Sequence, residues 1–243
     1  MTGIIPAQGI EAGDALRMPA FDQGLEQLRA QILAQGEQVL EMTLRAVECY
    51  FDGDESIASD VVALDADIDR VDVAIERAAV PLLALGETDH QRIRSVLTIV
   101  KINNELERAA NCAVNIAEAV LDFDDDAEDI PKTFRVMANS VIGMLRDTLR
   151  AFETRDAVLA QRVLNCDDAV DQFKRQIGLD VQQRVAEQAV SVGFAFRLRT
   201  VVSNLERIAD HCTNACQQVI YFERGLTVKH SPTGWSEPAE PEL

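Results

Sequence analysis

The amino-acid sequence predicts an all-α protein made of two tandem, homologous three-helix bundles, with six long antiparallel helices. Apolar residues recur at steps of three and four along most of the 243-residue chain, as in amphipathic helices. The alternating Val, Ile and Thr runs that are typical of strands do not occur in it. In addition, the Leu-Glu-Arg stretch at Leu106–Arg108 recurs at Leu205–Arg207, 99 residues later. A repeat of this kind indicates an internal duplication.

Six amphipathic segments correspond to the six helices. They cover about residues 21–51, 55–85, 89–121, 131–154, 156–189 and 194–224. Pro131 is suited to the start of the fourth helix, and Gly225 is suited to the end of the sixth. Pro81 lies inside the second segment, so we expect a kink or an early end near Ala79.

The two halves of the chain align helix by helix. Leu44–Glu48 matches Leu149–Glu153 at an offset of 105 residues, and the offset falls to 102 for the second helices and 99 for the third. Because the offset changes only between helices, the length differences lie in loops, and two bundles with up-down connections are expected. The expected division is a flexible N-terminus at 1–20, a first repeat at 21–122, an acidic linker at 123–130, a second repeat at 131–225 and a disordered tail at 226–243.

Composition restricts the functional class. A formal net charge of −18 argues against a nucleic-acid partner, because phosphate binding needs a basic face. Five scattered cysteines, an odd number, indicate reduced thiols in a cytoplasmic protein. No stretch approaches the roughly 20 apolar residues of a membrane span, and no signal peptide is visible. We therefore expect a cytoplasmic protein without a membrane span.

Acidic pairs, or the remnant of one, occur at i and i+4 in four of the helices. Each pair follows a core position by one residue, so it lies on the same flank of every apolar stripe. Because the second and third helices of a repeat should be antiparallel, their pairs should face each other across a seam. The candidate metal ligands are Asp65, Asp69, Glu107 and Asn111 at the first seam, and Asp167, Asp171, Glu206 and Asp210 at the second.

A cation would relieve the repulsion between carboxylates at such a seam. Carboxylate oxygens suit hard cations, and the candidate ions are Fe, Mn, Mg and Zn. The alternative is a solvated acidic surface, because acids make up 41 of the 243 residues. Asn111 supplies a neutral amide where the second seam has Asp210, so the sequence predicts tighter metal binding in the second half.

The stretch Leu205–Asn214 (Leu-Glu-Arg-Ile-Ala-Asp-His-Cys-Thr-Asn), its first-half counterpart and Leu-Asp-x-x-Ile-Asp at 64–69 resemble the PhoU family of phosphate-uptake regulators. The resemblance covers about residues 21–225. It implies two similar three-helix bundles, metal binding by the acidic motifs and a homodimer. The chain departs from the family pattern at Asn111, which replaces an Asp, and at two alanines that replace Gly, Ala109 and Ala209.

The resemblance further implies a non-enzymatic adaptor that damps phosphate-starvation signalling. Such an adaptor couples the ATPase subunit of a phosphate transporter to a sensor histidine kinase. Two other classes stay open: a metal-dependent enzyme that uses clustered carboxylates, and a purely structural helical scaffold. The sequence contains no nucleophile–base pattern and no Gly-rich phosphate loop, which favours the adaptor.

Overall fold

The computed structural model describes residues 12–85, 89–121, 129–231 and 234–236. Its helices are α1 (Ala12–Asp52), α2 (Glu55–Ala63), α3 (Asp65–Ala84), α4 (His90–Leu121), α5 (Lys132–Thr154), α6 (Ala157–Leu164), α7 (Asp167–Ala186) and α8 (Val192–Arg224). Two short strands follow, β1 (Lys229–Ser231) and β2 (Gly234–Ser236). The all-helical prediction is confirmed, with α1 to α4 in the first repeat and α5 to α8 in the second.

A short helix, α2 or α6, precedes the second long helix of each repeat, which the sequence analysis did not predict. The chain turns at Leu64 in the first repeat and at Asn165 and Cys166 in the second. Leu64 keeps helical dihedral angles (φ −74°, ψ −17°), so the turn is tight. Each short helix begins at an aspartate, Asp54 or Asp156, whose Oδ1 accepts two backbone N–H bonds of 2.9–3.1 Å. The same device in both repeats supports the duplication.

Two helices contain a proline and extend beyond the expected limits. α3 continues through Pro81 to Ala84, so of the kink or early end expected near Ala79, the early end does not occur. α1 begins at Ala12 and contains Pro19, so the flexible segment predicted for 1–20 is wrong for its second half. Residues 1–11 lie outside the described part of the chain. Proline keeps a helical φ and removes one backbone hydrogen bond, and good helix formers such as Ala and Leu surround both prolines.

Two pairs of antiparallel helices join the repeats, α1 with α5 and α4 with α8. Phe134, near the start of α5, contacts Tyr50 and Phe51 at the end of α1, with ring centroids 5.4 and 5.2 Å apart. Gly36 allows close approach in the middle of this pair, because a Cβ there would lie 2.2 Å from Leu149 Cδ2. The hydrophobic core is therefore continuous across both repeats.

Hydrogen bonds between α4 and α8 follow the internal symmetry. Asn115 Nδ2 donates to Asn204 Oδ1 at 3.3 Å, and Asn214 Nδ2 donates to Glu105 Oε2 at 3.2 Å. Asn115 and Asn214 are equivalent positions 99 residues apart, and so are Glu105 and Asn204. The two hydrogen bonds are therefore related by a pseudo-two-fold axis. Glu105 Oε2, the acceptor of the second bond, also lies 2.8 Å from His211 Nδ1. A partly buried ionisable pair thus reinforces one side of the contact between the repeats.

The tail predicted to be disordered at 226–243 contains a small antiparallel hairpin, β1 with β2. Trp235 Nε1 donates to the carbonyl oxygen of Leu164, at the end of α6, at 2.9 Å. Lys229 Nζ donates to Gln217 Oε1 on α8 at 3.0 Å. The prediction is wrong for the described part of this segment, because side chains far from the hairpin in sequence hold it in place.

Because Trp235 is the only tryptophan of the chain, its fluorescence reports hairpin docking. An isolated two-stranded hairpin is marginally stable, so this one depends on its contacts with the helices. We expect its emission to shift to the red at a lower urea concentration than that at which the helical circular dichroism is lost. Coincident transitions would show instead that the hairpin unfolds only with the bundles.

Candidate metal centre

Two helices position the acids of the second repeat. Asp167 lies in the first turn of α7, where the helix dipole favours a carboxylate, and Asp171 lies one turn later. Glu206 and Asp210 lie one turn apart in α8. Asp171, Glu206 and Asp210 each follow a buried residue (Val170, Leu205 and Ala209), so they lie beside the apolar contact between α7 and α8. Asp167 follows Cys166, which is exposed at the start of α7.

The carboxylates of the second repeat affect one another's protonation. Burial raises the pKa of Asp167 to about 6, and the nearby charges of Asp210 and Asp171 add to the increase. Burial also raises the pKa of Asp210, with contributions from Glu206 and Asp171. The structure therefore brings these four acids into one electrostatic cluster, with charges from both helices.

A lysine that the sequence analysis did not include also lies in this cluster. Lys174 Nζ is 2.9 Å from Glu206 Oε2, and its charge opposes the rise in the pKa of Asp210. Its spacing of three residues from Asp171 places it on the same side of α7, which was the available signal in the sequence. The second seam therefore contains a cation of its own.

The first repeat is arranged differently. Asp72, which the sequence analysis did not select, has a pKa raised by burial and by neighbouring carboxylates that include Glu107. Its Oδ1 accepts a 2.6 Å hydrogen bond from Asn103 Nδ2. Burial raises the pKa of Asp65, and Asp69 adds to the increase. Asp72 thus adds a carboxylate to this seam.

Asn111 acts within its own helix. Its Nδ2 donates to Glu107 Oε1 at 2.6 Å, so the amide offsets part of that carboxylate's charge. With Asp72 added to the first seam and Lys174 opposing the second, the second seam is not the more negative one. The charge count behind the predicted tighter binding in the second half is therefore corrected, because both residues were missing from it.

The eight predicted ligands do not form a preformed metal site. Within the described ranges, no three His, Cys, Asp or Glu side chains are arranged to hold one metal ion. The oxygen donors of the second seam suit a hard cation. To bind one, the seam would have to draw its carboxylates inward and release Glu206 from Lys174.

Replacing Asp167 by Asn should stabilise the metal-free protein near neutral pH. Its pKa is about 6 in the folded chain and 3.8 in the free group, so folding takes up a proton between these values. Its contribution to stability is therefore greatest below the lower value and is lost as the pH rises through the higher one. In chelator-containing buffer, Asp167→Asn should raise the Tm at neutral pH and flatten the fall of the Tm between about pH 4 and 6.

The exposed neighbour Asp168 supplies the control for this experiment. Its side chain is 76% exposed, and Asp168→Asn leaves Asp167 in place, so the fall of the Tm with rising pH should remain in this variant. Equal pH profiles for Asp167→Asn and the wild type would contradict the pKa assigned to Asp167.

Comparison with known proteins identifies the repeats. The PhoU domain model matches residues 32–120 and 134–219, one copy in each repeat. The chain belongs to the PhoU family. The matched PhoU domains contain the second-repeat acids and all of the first-repeat acids described above, whereas the C-terminal hairpin lies beyond them.

Several PhoU proteins are similar along most of their length. The phosphate-specific transport system accessory protein PhoU homolog 1 of Thermotoga maritima is 29% identical over 222 residues, which cover 90% of this chain and 96% of that protein. The homologue from Clostridium acetobutylicum is 30% identical over 210 residues, with coverages of 86% and 96%. The PhoU accessory protein of Escherichia coli K12 is 26% identical over 211 residues, with coverages of 86% and 88%.

Solved PhoU structures share the fold. The crystal structure of PhoU from Streptococcus pneumoniae superposes with a TM-score of 0.81 and 27% identity, covering 86% of this chain and 99% of that one. For PhoU from Pseudomonas aeruginosa the TM-score is 0.80 at 27% identity, with coverages of 84% and 99%. Among the described residues, no helix has both the length and the apolar character needed to cross a membrane.

Proposed function

We propose that this PhoU-family protein is a regulatory adaptor of phosphate transport. The observation that carries the proposal is the match of both repeats to the PhoU domain. Relatives aligned along nearly their whole length are named accessory proteins of phosphate-specific transport systems.

The proposed partners are the ATPase subunit of a phosphate transporter and a sensor histidine kinase. Through them the protein would lower phosphate uptake and phosphate-starvation signalling when phosphate is abundant. A cytoplasmic location and a homodimer are part of this proposal, and both come from the family resemblance. The assignment is to an adaptor and not to an enzyme.

We also propose that the acidic seams bind Fe, Mn, Mg or Zn. The second seam offers Asp167, Asp171, Glu206 and Asp210, and the first offers the corresponding set of predicted ligands together with Asp72. A bound cation would supply the positive charge that offsets their repulsion. At the second seam it would compete with Lys174 for Glu206, so metal binding and the Lys174–Glu206 ion pair exclude each other.

Deletion of the gene tests the adaptor role through transport itself. In high-phosphate medium, we expect the deletion strain to take up labelled phosphate faster than its parent, and a plasmid copy of the gene to restore the parental rate. Because an adaptor acts through the transporter, the increase should disappear when the transporter is also deleted. An uptake rate that is the same with and without this protein would contradict the proposal.

A further inference from the structure

A long apolar groove lies between α7 and α8 on the outside of the second repeat. It has a volume of about 940 Å³ and extends from Val185 and Val192, near the turn between the helices, to Asp171 and Glu206. The distance along α7 is about 21 Å, from the helical rise of 1.5 Å per residue. The groove therefore has the length of about four helical turns.

Large apolar side chains of this groove face solvent. Leu179 is 68% exposed, Phe196 is 63% exposed and Val192 is 58% exposed. Single exposed apolar residues are ordinary, but these three line one continuous depression. Their side chains lie open along the groove, which suits an elongated occupant better than an enclosed small molecule.

The groove differs in its polar contacts from the equivalent part of the first repeat. At the equivalent positions of the first repeat, Asn103 donates a 2.6 Å hydrogen bond to Asp72 and bridges α3 and α4. In the second repeat, the residue equivalent to Asp72 is Lys174, 102 residues later, and the residue equivalent to Asn103 is Val202, 99 residues later. This bridge cannot form between Lys174 and Val202, and both residues line the groove.

A glycine in the groove allows close approach by another backbone. Gly178 lies inside α7, where glycine is less favourable than alanine, and it replaces Glu76 of the first repeat. A Cβ at Gly178 would meet no atom within 4 Å, so packing in this chain does not require a glycine there. Because Gly178 has no side chain and lies at the middle of the groove, the backbone of another helix can approach α7 closely there.

We propose that this groove binds an amphipathic helix of a partner protein, with its apolar stripe on Phe196 and Leu179 and carboxylates on its flanks. Arg175 and Arg199 lie on opposite walls of the groove. The Arg175 side chain is 67% exposed, and its Nη1 lies 3.9 Å from Asp171 Oδ2 at one end of the groove. The positive charges of the two arginines complement acidic flanks on the partner helix, although the chain as a whole is strongly negative. The inference does not depend on the role in phosphate transport.

Two labelled synthetic peptides of about four helical turns test the groove. Both carry leucines at i, i+3, i+4 and i+7, and their flanks carry either Glu or Lys. In fluorescence anisotropy with the full-length protein at physiological salt, we expect the Glu peptide to bind at least about tenfold more tightly than the Lys peptide. If the net charge of −18 alone determined binding, the Lys peptide would bind more tightly than the Glu peptide.

Matched variants separate the groove from the rest of the surface. Phe196→Glu and Gly178→Leu should each weaken binding of the Glu peptide by about tenfold or more. Leu97→Glu, at the equivalent exposed position of the first repeat, should not change it. Arg175→Glu combined with Arg199→Glu should reverse the preference between the peptides. All five substituted positions are exposed, so circular dichroism should show an unchanged fold.

Three outcomes would overturn the proposal. In the first, the Glu peptide does not bind more tightly than the Lys peptide. In the second, Leu97→Glu weakens binding of the Glu peptide as much as Phe196→Glu does. In the third outcome, light scattering shows a dimer that Phe196→Glu converts to a monomer, which would assign the groove to a second copy of this chain. Unchanged phosphate uptake in the deletion strain would contradict the transport role without affecting these results.

Discussion

Phe134→Ala is expected to lower the free energy of unfolding by about 3–5 kcal/mol, the usual range for a large aromatic removed from a packed core. Phe134 is fully buried and contacts Tyr50 and Phe51, so its removal leaves a cavity where α1 and α5 meet. Since this contact joins the two repeats, the loss should affect the whole molecule. Urea unfolding followed by circular dichroism measures it.

Phe196→Ala is the matched control for this substitution. The same side chain is removed from a position that is 63% exposed, so the free energy of unfolding should change by less than about 0.5 kcal/mol. Similar losses for the two variants would contradict the placement of Phe134 in a core shared by both repeats.

Lys174→Met is expected to tighten metal binding at the second seam by about tenfold or more, because it removes the cation that holds Glu206. Asp210→Asn should weaken binding by a similar factor, since a neutral amide replaces a charged ligand. Isothermal titration of the chelator-treated protein with Mn²⁺ measures both effects. Asp168→Asn removes one charge from an exposed position near the seam, and a much smaller effect of this variant distinguishes a specific site from general attraction to an acidic surface.

Asn111→Asp controls for the first seam. It adds a carboxylate beside Glu107, so it should strengthen binding there and leave the event that responds to Lys174 unchanged. If Asp210→Asn and Lys174→Met both leave the titration curve as it is in the wild type, the second seam does not bind the metal.

The helices could be predicted because their signals are local. The apolar stripe of α8, which contains Leu205 and Ile208, specifies a helix by its period alone, and both residues are fully buried. Gly225 adopts a positive φ of 72° and ends α8 as expected. The early end expected before Pro81 does not occur, because the effect of a proline depends on whether surrounding packing compensates for one lost hydrogen bond.

The site was harder to predict because it depends on which side chains meet across two helices. The i, i+4 rule selected the acids on each flank, but it could not show that Asp72 lies near Glu107 or that Lys174 reaches Glu206. Trp235 was missed for the same reason, since its partner Leu164 lies 71 residues away. Such contacts are set by the tertiary arrangement, and a single sequence carries little information about them.

The most direct measurement of the adaptor role is phosphatase output from the phosphate-starvation response in high-phosphate medium. It compares the parent strain, the deletion strain and the deletion strain carrying the gene on a plasmid. We predict high phosphatase activity in the deletion strain alone, with low activity in the other two. Equally low activity in all three strains would contradict the proposal that this protein restrains phosphate signalling.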